Sequence, residues 1–434
     1  MGEILIQGAT VLTMEGHDSI INDGEIAIGT DRIISVGKRG SAPENFKAEK
    51  VIDGTGMVAM PGFVNCHTHS SMTLLRSYAD DLPLMKWLNE KIWPLEEKLQ
   101  NEDFYWGAKL CCLEMIKSGT TTFADMYFQM EQIARAVAES GIRACLSRGM
   151  IGLGPYAEMA VDESIQFIEK WHGAARGRIT AMFGPHAAYT CHPEYLSLVA
   201  ELAATYGVGI HIHVAETADE SERVKEEYGT TPVRHLDSLG IFEGPVLAAH
   251  CVHIDQEEIE ILARKRVAVA HCPESNMKLA SGIPPVAGLI KAGAHVALGT
   301  DGAASNNNLD MMEEMRTAAL LQKVATGDAM VLPAFETLKM ATHNGAAALG
   351  LAGLGLIQKG MLADIILVDM RRPHLYPRHD LIANLVYAAQ SSDVDTVIIN
   401  GEVVMEGRKV LSMDEDEVMA QAQKCADRLV GKKN

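Results

Sequence analysis

Several patterns that would each assign a class are missing from this 434-residue chain. Its eight cysteines, at positions 66, 111, 112, 145, 191, 251, 272 and 425, contain no Cys-x-x-Cys spacing. Several lie inside apolar, strand-like runs, where cysteine behaves as a small hydrophobe. Reduced core thiols in a cytoplasmic protein are therefore expected, not disulfides or a thiolate metal site. No uninterrupted apolar run approaches the roughly 20 residues that span a bilayer. The opening stretch MGEILIQGATVLTMEGHDS carries acids early and has no basic start, so no secretory signal is expected in it. No strand-like run is followed by a glycine-rich phosphate loop, which weighs against a nucleotide fold. Positive charge is in deficit, with 38 Lys and Arg against 57 Asp and Glu, a net charge of −19. A field of that sign repels phosphate backbones and anionic membranes, so neither nucleic acid nor membrane is an expected partner. A small-molecule substrate stays open, and so does assembly into a homo-oligomer.

What is present is a strand-rich texture at both ends and a different one between them. Ile4–Met14, Gly24–Val36 and Lys50–Ala59 read as strands with turns at Gly29-Thr30-Asp31 and Asp53-Gly54. Similar runs return at Asp364–Val368 and Thr396–Val404, the latter turning at Asn400-Gly401. One small β-sandwich domain built from both chain ends is expected, from residues 1–59 and 356–410. A closing helix is expected over residues 411–434, with a capping box at Ser412 and Glu415 and an apolar stripe at Val418, Ala422, Cys425 and Leu429.

Residues 60–355 alternate short apolar runs with helical stretches. The runs are Gly62–Cys66, Thr121–Ala124, Arg143–Leu146, Ile179–Phe183, Val208–Val214, Pro245–Ala249, Val267–Ala270 and His295–Gly299. Asn101–Lys117 typifies the helices between them, with Gly119 placed to end it. Eight strand–helix units predict a (β/α)₈ TIM-type barrel in preference to an open doubly wound sheet.

Barrel chemistry sits at the C-terminal strand ends, and here those ends carry ligand-type side chains. Strand one ends in Asn65-Cys66-His67-Thr68-His69, and alternate residues of a strand point the same way, so both imidazoles can face the mouth. Strand five gives His211-Ile212-His213-Val214-Ala215-Glu216, strand six ends at His250, strand seven at His271 and strand eight at Asp301. A lone strand-end His is usually structural, and a strand-end Asp often caps the next helix. Together, His67, His69, His213 and Asp301 form a nitrogen-and-oxygen donor set for one divalent ion. Zn²⁺ suits it best, and Fe²⁺ or Mn²⁺ nearly as well. Such an ion lowers the pKa of water to about 7. Glu216, three residues beyond His213, stands where a proton-carrying carboxylate is needed.

These motifs resemble the amidohydrolase superfamily: Pro61–His69, the His213…Glu216 pair and Gly299-Thr300-Asp301. More narrowly, Trp93-Pro94-Leu95-Glu96, Ser147-Arg148-Gly149, Gly184-Pro185-His186 and Ala248–His253 resemble its 5′-methylthioadenosine/S-adenosylhomocysteine deaminase branch. The resemblance implies hydrolytic conversion of adenine to hypoxanthine. It implies that Glu216 shuttles protons, that His250 orients the attacking water, and that Asp301 assists as base while also contacting the substrate. It also implies that Glu96 takes the ribose hydroxyls, that His186 touches the nucleoside, and that Arg148 meets the carboxylate of a homocysteine tail. Some members carry a second arginine for that carboxylate, and Ile151–His172 contains none. Guanine and cytosine deaminases and aminotriazine chlorohydrolases would share the metal set. A dihydroorotase is disfavoured, because Ile179–Thr190 has no lysine to bridge two metals. A non-catalytic scaffold would be expected to have lost ligands. The stretch Leu82–Leu99 is apolar for a loop and reads either as a cover over substrate or as ordinary helix packing.

Overall fold

The computed structural model describes residues 2–432. Eight strands, Phe63–Thr68, Thr120–Tyr127, Arg143–Met150, Ile179–Pro185, Ile210–Val214, Val246–His250, Ala268–His271 and His295–Leu298, pair in chain order. Every registered pair among them is parallel. Nearly all their residues are buried. That is why the strands read as short continuous apolar runs without polar alternation. Helices separate them; the one at Asn101–Ser118 ends at Gly119, whose φ of 89° is the left-handed cap expected of glycine.

Strands one and eight meet through a polar seam. The Asn65 amide donates to Thr300 Oγ1 (2.7 Å) and its oxygen accepts from Thr300 N (3.1 Å), while Asp301 N donates to His67 O (2.8 Å). Gly299 permits this approach: a Cβ there would lie 2.7 Å from His67 N.

The chain ends build a separate nine-stranded mixed sheet. Met57–Pro61 joins the two ends, pairing antiparallel with Ile365–Asp369. The expected strand Lys50–Ala59 is two strands, Lys50–Asp53 and Met57–Pro61, which lie parallel to different halves of Ile4–Leu12. The sheet has its own core around Ile6, Ile26, Ile28, Ile365 and Ile398. Arg143, at the start of barrel strand three, ties the two units together. Its guanidinium donates to both Asp364 oxygens (2.9 and 3.0 Å) and to Asn400 Oδ1 (3.0 Å), wholly buried.

The last helix spans Glu415–Val430, and Val418, Ala422, Cys425 and Leu429 face inward as expected. Its cap differs from the sequence expectation. Asp414, not Ser412, accepts from the N3 amide, that of Glu417 (3.0 Å). Asp is an equally good N-cap and its charge favours a helix start. Glu415 is used elsewhere, accepting from Val410 N (2.9 Å) and Lys117 Nζ (2.6 Å). All eight cysteines are buried free thiols. Among the described residues no helix is long and apolar enough to cross a membrane.

Candidate metal centre and active site

His67 and His69 from strand one, His213 from strand five, His250 from strand six and Asp301 just beyond strand eight leave four strand ends and converge. Ligand atoms of His67, His69 and His213 lie within 4.8 Å of one another, as do those of His67, His250 and Asp301. Asp301 Oδ1 is 3.2 Å from His69 Nε2 and 3.5 Å from His67 Nε2. Four residues at this end take positive φ without being glycine: Ala215 (φ 49°), His250 (φ 74°), Cys251 (φ 49°) and Asp301 (φ 61°). Each such residue costs about 1–3 kcal/mol, so the surrounding structure must hold it there.

The hydrogen bonds fix which nitrogens face inward. His69 Nδ1 donates to Met126 O (2.5 Å) and His213 Nδ1 to His186 O (2.7 Å). His67 Nδ1 lies 2.8 Å from His211 Nε2. In each ring the Nε2 atom is left toward the centre, and His67 Nε2 is buried with no hydrogen-bond partner. An unpartnered buried nitrogen of this kind is costly. Nδ1 anchored outward with Nε2 turned inward is the arrangement by which histidines present a lone pair to a metal. The donor chemistry therefore fits a divalent ion.

Asp301 is held on both oxygens. Oδ1 accepts from Gly302 N (2.7 Å) and Oδ2 from Ser275 Oγ (2.6 Å) and Ser305 Oγ (2.8 Å). Burial alone would raise its pKa; the neighbouring His67 and His69 imidazoles hold it well below the usual carboxylate range. Burial pushes Glu216 upward, toward the protonated form. Glu216 Oε2 lies 3.9 Å from His250 Nε2, and His250 Nδ1 donates to Asn276 Oδ1 (2.9 Å). Glu216 is set in place by Glu220, whose carboxylate accepts from Ala215 N (3.0 Å) and Glu216 N (2.8 Å).

One cavity is lined by His69, His186, His213, Glu216, His250 and Asp301, and Glu96 reaches it from the stretch after strand one. That stretch is a chain of short helical turns, Leu84–Trp87, a π-turn at Leu88–Ile92 and Trp93–Glu96. Leu84, Trp87, Leu88 and Trp93 face the cavity, while Trp87 is also packed into the core. The segment is thus helical, packed against the core and part of the cavity wall. The Tyr127 hydroxyl donates to Glu96 Oε1 (2.6 Å), and burial raises the Glu96 pKa.

Arg148 does not line this cavity. Its Nε donates to Glu163 Oε2 (2.9 Å), a second guanidinium nitrogen lies 2.8 Å from the same oxygen, and a third bonds Gly149 O. Sequence reasoning passed over Asp125, Tyr127, Glu220, Ser275, Asn276 and Ser305. Asp125, fully buried, accepts from both the amide and hydroxyl of Ser70 (each 2.7 Å), so it braces the turn that follows His69. A polar residue directly after the run Thr121–Ala124 was the available signal; the serines and Asn276 gave none.

Comparison with known proteins agrees with this geometry. The sequence profile of the Amidohydrolase family matches residues 58–404. A Pelotomaculum thermopropionicum protein described as 5-methylthioadenosine/S-adenosylhomocysteine deaminase is 71% identical over 432 residues, covering 100% of both chains. An adenosine deaminase structure from Xanthomonas campestris with bound zinc superposes with a TM-score of 0.95 at 35% identity, over 99% of this chain and 98% of that one. An atrazine chlorohydrolase from Arthrobacter aurescens complexed with zinc gives 0.91 at 28% identity, over 98% and 100%.

Proposed function

This chain belongs to the amidohydrolase family, and on that premise we propose that it is a metal-dependent deaminase of adenine nucleosides. It converts the adenine of 5′-methylthioadenosine, S-adenosylhomocysteine or adenosine to hypoxanthine and releases ammonia. It is a hydrolase of carbon–nitrogen bonds on an adenine-type substrate, as its deaminase relatives are by name. The observation that carries the reading is a set of outward-anchored imidazoles with an unpartnered His67 Nε2, next to a buried carboxylic acid, Glu216.

His67, His69, His213 and Asp301 would hold one divalent ion, with zinc best matched to donors that include no thiolate. The ion supplies a nucleophile at neutral pH by lowering the pKa of water from 15.7 to about 7. His250, its ring oriented by Asn276, positions the attacking water with Asp301, which takes a proton from it. Glu216 has its pKa raised by burial, which favours its holding a proton. It gives that proton to the purine ring nitrogen as water adds to C6, and a proton then goes to the departing amine. Unrelated zinc deaminases also use a glutamate that is not a metal ligand. Glu96 takes the ribose hydroxyls; Tyr127 holds one of its oxygens and leaves the other free. His186 contacts the nucleoside while its carbonyl anchors His213.

The test is an ultraviolet assay across adenosine, 5′-methylthioadenosine, S-adenosylhomocysteine, guanine, cytosine and an aminotriazine, with elemental analysis alongside. Conversion of at least one adenine nucleoside to the corresponding hypoxanthine nucleoside, and about one ion per chain, are expected. Turnover confined to the last three compounds would overturn the substrate assignment, and two essential ions would overturn the single-metal site.

A further inference from the structure

The lining of the cavity is uneven in charge. Its carboxylates are Glu96, Glu216, Glu220 and Asp301, and among the described residues no lysine or arginine reaches it. The segment Leu84–Trp93 and the loop after strand three instead present Leu84, Trp87, Leu88 and Ile151. Arg223 stands over the lining residue Tyr189 (5.4 Å to the ring centroid), and Arg148 lies beside Gly149, which lines the cavity, and over Phe128, which lines it too (5.6 Å to the ring centroid). The Arg148 guanidinium is already satisfied by Glu163, from the helix Ala157–Trp171. The arginine side chain is 13% exposed and the glutamate 42%, so the pair closes from the solvent side.

We propose that Glu163 is a specificity-determining residue: by occupying Arg148 it leaves this end of the cavity apolar and without a free cation, so a neutral 5′-thioether is favoured over a tail ending in a carboxylate. The inference rests on the nucleoside-deaminase reading above. A carboxylate entering this end must displace Glu163 from Arg148 or sit beside its like charge. A methylthio group meets only Leu84, Trp87, Leu88 and Ile151 and displaces nothing. Partly exposed ion pairs are weak, so the discrimination is about tenfold and not absolute. Glu163 itself touches neither the reacting atoms nor the metal ligands, and its effect runs through Arg148.

The experiment measures kcat/KM for three probes: 5′-methylthioadenosine, S-adenosylhomocysteine, and a 5′-thioether of adenosine whose alkyl tail ends in a carboxylate without an amine. It uses the wild-type enzyme, Glu163→Gln, Glu163→Ala and the double variant Glu163→Gln/Arg148→Met. Both single variants should raise the carboxylate-only probe relative to 5′-methylthioadenosine by about tenfold, and S-adenosylhomocysteine by a similar or smaller factor. The double variant should lose that gain, since the freed guanidinium is its source. Unchanged ratios overturn the proposal. A fall for S-adenosylhomocysteine alone also overturns it, because Glu163 would then be receiving the ammonium of that tail. If the wild-type enzyme deaminates none of the three probes, the nucleoside reading fails instead, and the two failures are separable.

Discussion

His67 and His211 share one hydrogen bond, Nδ1 to Nε2 at 2.8 Å, with both side chains wholly buried. Burial lowers the His67 pKa to about 4 and holds that of His211 well below its ordinary range, so both rings are neutral and one proton lies between them. If His67 donates, its Nε2 keeps a lone pair for the metal; if His211 donates, that lone pair is lost. Replacing such a partner of a metal-ligating histidine costs about 10–100-fold in metal affinity. His211→Leu removes the acceptor, and chelator competition should show zinc binding weakened within that range. His211→Gln, whose amide oxygen can still accept, should recover part of it. Equal affinity in all three proteins would reduce His211 to core packing.

Glu216 is adjacent to the candidate ion but outside its donor set, so chemistry and metal content should separate. Glu216→Gln preserves size and removes the titrating proton. Loss of a general acid–base group costs about 10²–10⁴-fold in rate. The variant should lose kcat to that extent and keep its ion by elemental analysis. Retention of wild-type kcat, or loss of the ion, contradicts the assignment.

The barrel was legible because strands buried on both faces leave uninterrupted apolar runs, and because His67 and His69 alternate on one strand. What escaped detection depends on contacts between distant segments. A carboxylate at Asp125 looks like the end of strand two, yet the strand continues to Tyr127 and the buried acid holds Ser70. Ser275 and Ser305 gain meaning only from Asp301, which reaches both across loops. Arg148 looked free because its partner, Glu163, lies fifteen positions away on a helix face that an isolated sequence cannot orient.

The Arg143–Asp364 pair bears on stability. It is buried, bidentate and shared with Asn400, and it spans the barrel and the sheet built from the chain ends. Removing one partner of a buried pair leaves an uncompensated charge and costs about 3–5 kcal/mol, whereas replacing both with apolar residues is far milder. Arg143→Met should therefore lower the urea midpoint markedly, and Arg143→Met/Asp364→Leu should recover much of the loss. A double variant no better than the single one would mean that the packing of Arg143, and not its charge, supports the junction.

Glu220 gives the fold a pH dependence whose sign can be worked out. Burial raises its carboxyl from the ordinary 4.5 to about 7, with the Glu216 charge adding to the rise and the amides of Ala215 and Glu216 opposing it. Between those two values the folded chain keeps a proton that the unfolded chain has released. Stability then falls as pH rises, since its slope follows the protons bound unfolded minus those bound folded. The contribution is fully present below about pH 4.5 and is lost as pH passes through about 7. At 1.36 kcal/mol per unit it amounts to about 3 kcal/mol at most. Other groups titrate in the same range, so the informative quantity is the difference between wild type and Glu220→Gln, which cannot ionise. Losing one of the two acceptors for the Ala215 and Glu216 amides shifts that difference by a constant, while the titration tilts it. Urea midpoints of both metal-loaded proteins from pH 5 to pH 8 should show wild type losing ground to the variant as pH rises. Parallel curves would mean that Glu220 is ionised throughout, with its two amide hydrogen bonds outweighing its burial.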